Sequence, residues 1–580
     1  MYKPNKRHLQ PLLISNVQDL PEKHQRRLEH SWAGVFYRET FCRLDEEPFA
    51  VLYADLPSRP NIPVNVLVGL ETIKAGFGWS DEELYDHYVF DLQVRYALGY
   101  RDLKEGDFDL RTLYNFRRRL SEYNQLHGVN LLDQAFADIT DQQICALQLD
   151  TSQQRMDSTQ LASNIMDMSR LQLLVEAFQR LYESLSGADQ ERYSERFAPY
   201  LKGSSGQYVY RLKGKEATHR KIQQVGEEMY QVLGELADRY EKEPVFQVFQ
   251  RFFHDNFHVI EGGVQAKGNA EISPGCLQSC DDLEATFRRK GEQEYKGFVA
   301  NLTQTCAPDN AVQLITKTQT AANNTEDSDL MIAAIPDLVT RTDLKILYTD
   351  GGYSSPEADQ VLQQHRIDQV ATAIKGRKPD PTKLTLGDYE ILHDEQGIPC
   401  QISCPGGQTV SVRWGRQKGA LVADFEPLSC EACLFHKNHQ CRAKPGKRDK
   451  RFHLDFNLHE AQVARRRRLK KAHQDSGRNL RAAVEAAVRS VKHPFPAGKL
   501  PVRGLFRVAC MVIASALMAN VRSIHRYQQT QQKEEKQPTK TFRPANGFPE
   551  PACSSLFSIF WNYMTSLFQP SLSGFSCFSC

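Results

Sequence analysis

The sequence lacks a signal segment, a strong net charge and a cysteine framework, and each absence argues against one class of protein. Residues 1–7 are charged, but no apolar run follows them, so we expect an intracellular protein. The 14 cysteines are mostly scattered, so we expect reduced thiols or metal ligands instead of disulfides. A net charge of only +2 argues on its face against a DNA-binding protein, which usually has a basic patch.

Three acidic residues stand in contexts that together predict a divalent-metal site. Asp157 lies in Gln-Arg-Met-Asp-Ser-Thr, and Asp350 lies between the apolar run 344–348 and two glycines. The run is typical of a buried strand and the glycines of a sharp turn, which places Asp350 at the carboxyl end of a strand. Alone, Asp157 is better explained as an N-cap or turn residue and Asp350 as part of an ordinary turn.

The third acidic residue, Glu485, lies on a predicted helix over residues 478–493, which Pro494 ends. The spacing of Arg481, Glu485 and Lys492 places their side chains within about 40° on one helix face. Such a stripe is usually a solvated surface with an ion pair. The two upstream aspartates favour the catalytic interpretation instead.

The low net charge hides a basic region next to this helix. Residues 434–510 contain 20 Lys and Arg but only 5 Asp and Glu. Charge runs are usually solvated helix faces, but this one leads directly into the helix of Glu485. Neutralisation of phosphates beside a catalytic site would explain it and would make binding strongly salt-dependent. The core of the run comprises Arg465, Arg466, Arg467 and Arg468.

A cysteine-bearing segment lies between Asp350 and Glu485. A Cys-x2-Cys pair with two outlying cysteines can supply four thiolates to a tetrahedral zinc ion. The spacing is looser than in two paired knuckles, so unligated thiols remain the alternative, and Cys400, His436 and His439 are substitute ligands. The four predicted ligands are Cys404, Cys430, Cys433 and Cys441.

Together these residues resemble the DDE transposases of bacterial insertion sequences, over about residues 10–525. The motifs are Arg-Pro-Asn-Ile-Pro-Val-Asn-Val-Leu-Val-Gly-Leu (59–70), Phe-Gly-Trp-Ser-Asp-Glu-Glu-Leu (77–84), Asp-Leu-Gln-Val-Arg-Tyr-Ala-Leu-Gly (91–99), Gln-Arg-Met-Asp-Ser-Thr (154–159) and Tyr-Thr-Asp-Gly-Gly-Tyr (348–353). The related signature Tyr-x2-Arg-x3-Glu-x6-Lys is met by Arg481, Glu485 and Lys492. Arg478 stands where the tyrosine would be, which puts the role of that tyrosine in doubt.

The resemblance implies an α/β ribonuclease-H-like catalytic core with helical insertions, plus an all-α N-terminal domain. Predicted strands at 153–158, 296–305, 311–318, 344–348 and 369–374, with a helix at 356–365, agree with that core. The implied domains are an N-terminal DNA-binding domain (1–135), the core (136–168 and 265–380), a helical insertion (169–264), the cysteine-rich insertion (381–455), the basic segment with the final helices (456–527), and a tail (528–580).

The resemblance also implies a reaction: cleavage of DNA at the ends of the element and strand transfer into a target. Asp157, Asp350 and Glu485 would bind two Mg²⁺ or Mn²⁺ ions, and Arg481 and Lys492 would hold phosphates. The expected partners are double-stranded DNA and a second copy of the chain, in the bacterial cytoplasm at the nucleoid, with no membrane. A metal-dependent nuclease and a domesticated, non-catalytic DNA-binding protein remain alternatives.

Two regions are less determined by the sequence. The basic helix around 109–120, including Arg117 and Arg118, belongs either to a helix-turn-helix-like reader of the terminal repeats or to a purely structural bundle. After Tyr527 we expect a disordered polar linker. The apolar stretch 556–568 that follows it is too short to cross a bilayer.

Overall fold

The computed structural model describes residues 2–10, 14–54, 60–210, 212, 214–374, 380–394, 397–446, 450–474 and 484–536. Met1–Gln529 forms one compact unit and Thr530–Cys580 a second. Arg478, Arg481 and the apolar stretch at 556–568 lie outside the described residues.

The described part of residues 2–146 is mainly helical, in agreement with the all-α N-terminal domain predicted over 1–135. Ser80 and Glu83 form a capping box, in which each side chain accepts a hydrogen bond from the other residue's backbone N–H. The helices are α1 (Glu22–Glu29), α2 (Trp32–Phe36), α3 (Val64–Phe77), α4 (Asp81–Phe90), α5 (Leu92–Ala97), α6 (Arg111–His127) and α7 (Leu131–Ala146).

A helical insertion follows the first strand, β1 (Gln153–Leu161). Its apolar residues at helical spacing, among them Leu174, Val175 and Phe178, are buried in a core of their own, as the sequence predicts. The insertion comprises α8 (Arg170–Ser184), α9 (Gly187–Leu201), α10 (Ser205–Tyr210), α11 (Lys215–Tyr240), α12 (Pro244–Asn256) and the hairpin β2 (Phe257–Ile260) and β3 (Gly263–Ala266).

A six-stranded mixed sheet combines β1, which precedes this insertion, with five strands that follow it. β5 pairs antiparallel with β1 and β6, whereas β7 pairs parallel with β1 and β8. The order is β4-β5-β1-β7-β8, and β6 also pairs with β5. The further elements are β4 (Thr286–Lys290), β5 (Gln293–Thr305), β6 (Ile315–Ala322), α13 (Asp327–Arg341), β7 (Ile346–Thr349), α14 (Pro356–Gln364) and β8 (Asp368–Ala371).

The mixed α/β architecture confirms the coarse fold prediction, but two details differ. The strand predicted at 311–318 lies at Ile315–Ala322. Helix α13 was missed, although Met331, Ala334, Ile335 and Leu338 have helical spacing and are buried against the sheet.

The cysteine-rich insertion contains a second sheet that the sequence analysis did not predict. Its order is β13-β14-β12-β11-β10-β9. Alternating burial in β14 and burial of Leu421, Ala423 and Phe425 in β12 give this sheet an apolar face. The strands and short helices are β9 (Glu390–His393), β10 (Pro399–Ser403), β11 (Thr409–Trp414), β12 (Ala420–Phe425), α15 (Pro427–Ala432), α16 (Leu434–Lys437), β13 (Lys444–Pro445) and β14 (Phe452–Asn457).

Three helices complete the described chain: α17 (Leu458–Gln474), α18 (Val484–Lys492) and α19 (Leu505–Lys536). Helix α19 is long and apolar enough to cross a membrane by length and composition alone, and 67% of its apolar window is buried. Leu517, Val521 and Ile524 share one hydrophobic core with helices α2 to α7. The N-terminal helices therefore provide the apolar environment of α19.

Two predicted borders are corrected by these elements. The border at residue 135 falls inside α7, because this helix carries one continuous apolar face into the shared core. The linker expected after Tyr527 is helical as far as Lys536, since Gln, Lys and Glu are good helix formers.

Candidate active site

Asp157 and Asp350 lie side by side on two neighbouring strands. β1 and β7 are parallel, with Arg155 opposite Tyr348. The same register, continued by two residues, places Asp157 opposite Asp350. Adjacent strands are about 4.8 Å apart, so both carboxylates belong to one end of the sheet. The structure thus brings together two aspartates that lie far apart in the sequence.

Two glycines make the turn after Asp350 possible. The Asp350 carboxylate accepts a hydrogen bond of 2.6 Å from the Gly352 backbone N–H. A Cβ at Gly351 would lie 2.7 Å from the Ala373 carbonyl oxygen. A Cβ at Gly352 would lie 2.8 Å from a carboxylate oxygen of Asp350 and 2.8 Å from one of Asp327. Any side chain at either position would displace the turn.

Asp327 is a third carboxylate at this end of the sheet, and the sequence analysis missed it. It is the first residue of α13, is 7% exposed, and accepts a 2.7 Å hydrogen bond from the Ser158 hydroxyl. The sequence signal that could have revealed Asp327 is an aspartate at the start of an amphipathic helix, and the sequence analysis did not recognise that helix.

The buried phenol of Tyr353 lies within electrostatic reach of all three aspartates. Its hydroxyl donates a hydrogen bond of 2.7 Å to Asn301. Burial, and then the charges of Asp327, Asp157 and Asp350, raise the pKa of Tyr353 well above its usual value. The phenol is therefore neutral at physiological pH and acts here as a hydrogen-bond donor.

Helix α18 lies against β1 through the predicted lysine. Lys492 Nζ donates to the Thr159 hydroxyl at 2.9 Å, and burial lowers the pKa of Lys492. Thr159 has the same orientation on β1 as Asp157, because strand side chains alternate. An open groove of about 760 Å³ lies here, lined by Thr159, Lys492, Arg489 and His493 among others.

Glu485 lies two helical turns before Lys492, on the same face of α18. It is exposed, and no ion pair or side-chain hydrogen bond joins it to another described residue. Within the described ranges, no three His, Cys, Asp or Glu side chains form a group that could hold a metal ion. Of the three residues predicted to share this helix face, Arg481 alone lies outside the described residues.

The four predicted cysteine ligands line one small cavity. A Cβ at Gly406 would lie 3.0 Å from the Cys433 sulfur and 3.5 Å from the Cys404 sulfur. Burial, and the nearby thiols, raise the pKa of Cys430. Cys400 lies on β10 and its thiol faces the Leu392 carbonyl. The cavity is lined by Cys404, Cys430, Cys433 and Cys441, with His436 and Tyr389 among the other residues.

The basic run of α17 is largely engaged within the protein. Three of its arginines pair with acids on α14, β8 and β9, and Lys470 donates to the Thr372 carbonyl. Arg466 is only 5% exposed and pairs with Asp359, so the side chain holds α17 against α14, and its contact with DNA stays a prediction. No ion pair of Arg467 occurs among the described residues. The pairs are Arg465 with Asp368, Arg466 with Asp359 and Arg468 with Glu390.

The two arginines of α6 that were predicted to bind DNA also differ from each other in their exposure and their ion pairs. Arg117 donates to both Asp81 oxygens, at 2.7 and 2.9 Å, and to Glu71 at 2.6 Å. Although burial acts to raise it, the pKa of Asp81 is lowered to about 2 by Arg117 and Lys74. Arg117 therefore joins α6 to α3 and α4, and its contact with DNA stays a prediction. Arg118 is exposed and pairs only with Glu122, one turn away.

Comparison with known proteins gives one match. Residues 403–525 match the family of the transposase DDE domain. This segment contains the cysteine cavity, α17, Glu485 and Lys492, and it leaves Asp157 and Asp350 outside. No curated protein and no solved structure matches the chain.

Proposed function

We propose that this chain is a DDE-type transposase that moves a bacterial insertion sequence by cutting and rejoining DNA, since residues 403–525 match the family of the transposase DDE domain. The observations that carry the proposal are the parallel pairing of β1 with β7, which runs up to Arg155 and Tyr348, two residues before the aspartates, and the electrostatic effect of both Asp157 and Asp350 on the phenol of Tyr353. Two carboxylates fixed at one sheet end suit hard divalent cations, which prefer oxygen ligands.

The sheet supports a ribonuclease-H-like core. Strand β5 pairs antiparallel with both β6 and β1, and β7 and β8 continue from β1 in parallel. Parallel strands require a crossover, and α13 precedes β7 while α14 connects β7 to β8. In such a core, acids on the first strand, the fourth strand and a late helix serve one site. Here these are Asp157, Asp350 and Glu485.

Asp157 and Asp350 would hold the divalent cations, two Mg²⁺ or Mn²⁺ ions, together with Glu485 from α18. Bound ions of this kind activate the attacking oxygen and stabilise the leaving oxygen of an in-line displacement at phosphorus. The donor chemistry of the aspartates fits this role. Glu485 is exposed on α18, a helix that contacts β1, the strand that carries Asp157.

Lys492 would hold a DNA phosphate beside the scissile bond. Thr159 fixes the ammonium group over the face of β1 that carries Asp157, and a positive charge there offsets that of the phosphate. Arg481, which lies outside the described residues, is proposed for the same task. Arg465, Arg468 and Arg118, which keep partial exposure, would add non-specific, salt-dependent affinity.

The four cysteines would hold a structural Zn²⁺ ion. Thiolates are preferred zinc ligands, and the glycine between Cys404 and Cys433 leaves room for close approach of their sulfurs. Zinc would provide folding energy to this insertion, whose core is small.

The zinc proposal predicts a loss of metal and stability in one variant. Cys433→Ser should lower bound zinc from one equivalent to none and should make the cysteine-rich insertion sensitive to proteolysis. Cys400→Ser is the matched control, since its thiol faces Leu392, and it should keep wild-type zinc content. Elemental analysis of the purified proteins measures this. Equal, near-zero zinc in the wild type and both variants would show that the thiols are unligated.

The helical N-terminal region would recognise the terminal inverted repeats, and two copies would act on paired ends in the bacterial cytoplasm. The test uses the full chain with linear DNA carrying the inverted repeats that flank its reading frame, and Mg²⁺. We expect cleavage at the repeat ends and joined products with a target plasmid. Nicks without joined products would instead indicate a nuclease, and binding without either would indicate a non-catalytic DNA-binding protein.

A further inference from the structure

A buried hydrogen bond links Asp327 to the strand that carries Asp157. The Ser158 hydroxyl donates to Asp327 at 2.7 Å, and the Ser158 backbone N–H lies 3.1 Å from an Asp157 carboxylate oxygen and donates to it. A carboxylate can only accept, so the direction of the Ser158 hydroxyl is fixed. Asp327 is therefore joined, through one residue, to the first carboxylate of the proposed catalytic site.

The position of Asp327 explains how a carboxylate is tolerated there. It is 7% exposed, and buried aspartates are rare unless they are paired or hydrogen-bonded. As the first residue of α13, it lies at the positive end of the helix dipole, which stabilises a negative charge. No cation pairs with Asp327 among the described residues.

Asp327 also borders the turn that carries Asp350. One oxygen of each carboxylate would lie 2.8 Å from a Cβ at Gly352, so these two oxygens are no more than twice that distance apart. Asp327 thus touches the supports of both aspartates: Ser158 on β1 and the glycine turn after β7.

We propose that Asp327 is a positioning residue that holds Asp157 and Asp350 in the arrangement required for divalent-cation binding. The inference rests on the proposed function, in which those two aspartates are the metal ligands. Asp327 itself acts through Ser158 and through the turn. Residues that orient metal ligands in this way typically change metal affinity by about 10- to 100-fold when they are replaced.

The experiment measures Mn²⁺ binding to the full chain by electron paramagnetic resonance, in the absence of DNA. Asp327→Asn should raise the dissociation constant about tenfold or more, with an unchanged thermal midpoint. Ser158→Ala removes only the linking hydroxyl and should raise the dissociation constant for Mn²⁺ by a smaller factor. Asp329→Asn, an exposed acid in the same first turn of α13, is the matched control and should bind as the wild type does.

Each outcome decides the proposal. Wild-type Mn²⁺ affinity in folded Asp327→Asn overturns it, as does equal weakening in Asp329→Asn. If Asp327→Asn fails to fold, Ser158→Ala decides, and wild-type affinity in that variant overturns the proposal. Wild-type protein that binds Mn²⁺ but neither cleaves nor joins DNA contradicts the proposed function and leaves the role of Asp327 supported by the binding series.

Discussion

Replacing Asp350 with asparagine is expected to lower the rate of metal-dependent DNA cleavage by about a thousandfold or more. Metal ions contribute several kcal/mol of transition-state stabilisation. Each 1.4 kcal/mol or so corresponds to a tenfold change in rate. An amide cannot supply the anionic oxygen that a hard cation prefers. Because Asp157 lies opposite Asp350 in the strand register, Asp157→Asn should have an effect of the same size. The measurement is single-turnover cleavage of repeat-end DNA with Mg²⁺.

The matched control is Asp343→Asn. Asp343 is exposed and precedes β7, at the opposite end of the strand from Asp350. It should cleave at the wild-type rate, and all variants should bind DNA with unchanged affinity. Full activity in Asp350→Asn would remove this residue from the site.

Glu485→Gln completes the same series. It should abolish cleavage and spare DNA binding, even though Glu485 is exposed in this structure. This result requires α18, held at its other end by Lys492 and Thr159, to carry Glu485 to the aspartates when metal and DNA bind. Normal cleavage by Glu485→Gln would remove Glu485 from the catalytic set and leave the aspartates in place.

Replacing Arg466 with alanine is expected to destabilise the protein by about 3–5 kcal/mol, the usual cost of breaking a buried ion pair. The substitution leaves the Asp359 carboxylate buried without its partner. Burial already raises the pKa of Asp359, despite the adjacent Arg466, so the charged form depends on the arginine. Denaturant unfolding followed by fluorescence measures the change.

Two further variants separate this role from DNA binding. Arg468→Ala, from a more exposed pair with Glu390 at 3.7 Å, should change stability by no more than about 1 kcal/mol. The double variant Arg466→Met with Asp359→Leu should recover most of the lost stability, because an apolar pair has no charge to desolvate. Wild-type stability of Arg466→Ala together with weaker DNA binding would support the original prediction for Arg466.

The sequence predicted five of the six strands of the central sheet, all except β4, and two of its acids, because these signals are local. An apolar run followed by Asp350 and two glycines determines a strand end and a turn from adjacent residues. The helical spacing of Leu174, Val175 and Phe178 similarly determined a buried face. The strand predicted at 311–318 was displaced by four residues at its end, because the ends of elements depend on pairing with β5.

The functions of the charged residues could not be predicted in the same way. Arg465 to Arg468 form one uniform run in the sequence, yet Arg466 is buried and Arg468 is partly exposed. Arg117 and Arg118 are adjacent, yet one joins three helices and the other faces solvent. The sequence of a charge run does not show which of its residues lie next to an acidic side chain from a distant segment.

The sequence by itself determined the alternation of strands and helices, the positions of Asp157 in a strand and of Asp350 directly after one, and the cysteine grouping, since each is encoded within a few neighbouring residues. Only the tertiary structure decided that Asp327 adjoins the two aspartates, that α19 completes the core of the N-terminal helices, and that Arg466 is an internal ion-pair partner. These three depend on contacts between residues more than 100 positions apart, and such contacts are set by packing and strand register rather than by local pattern.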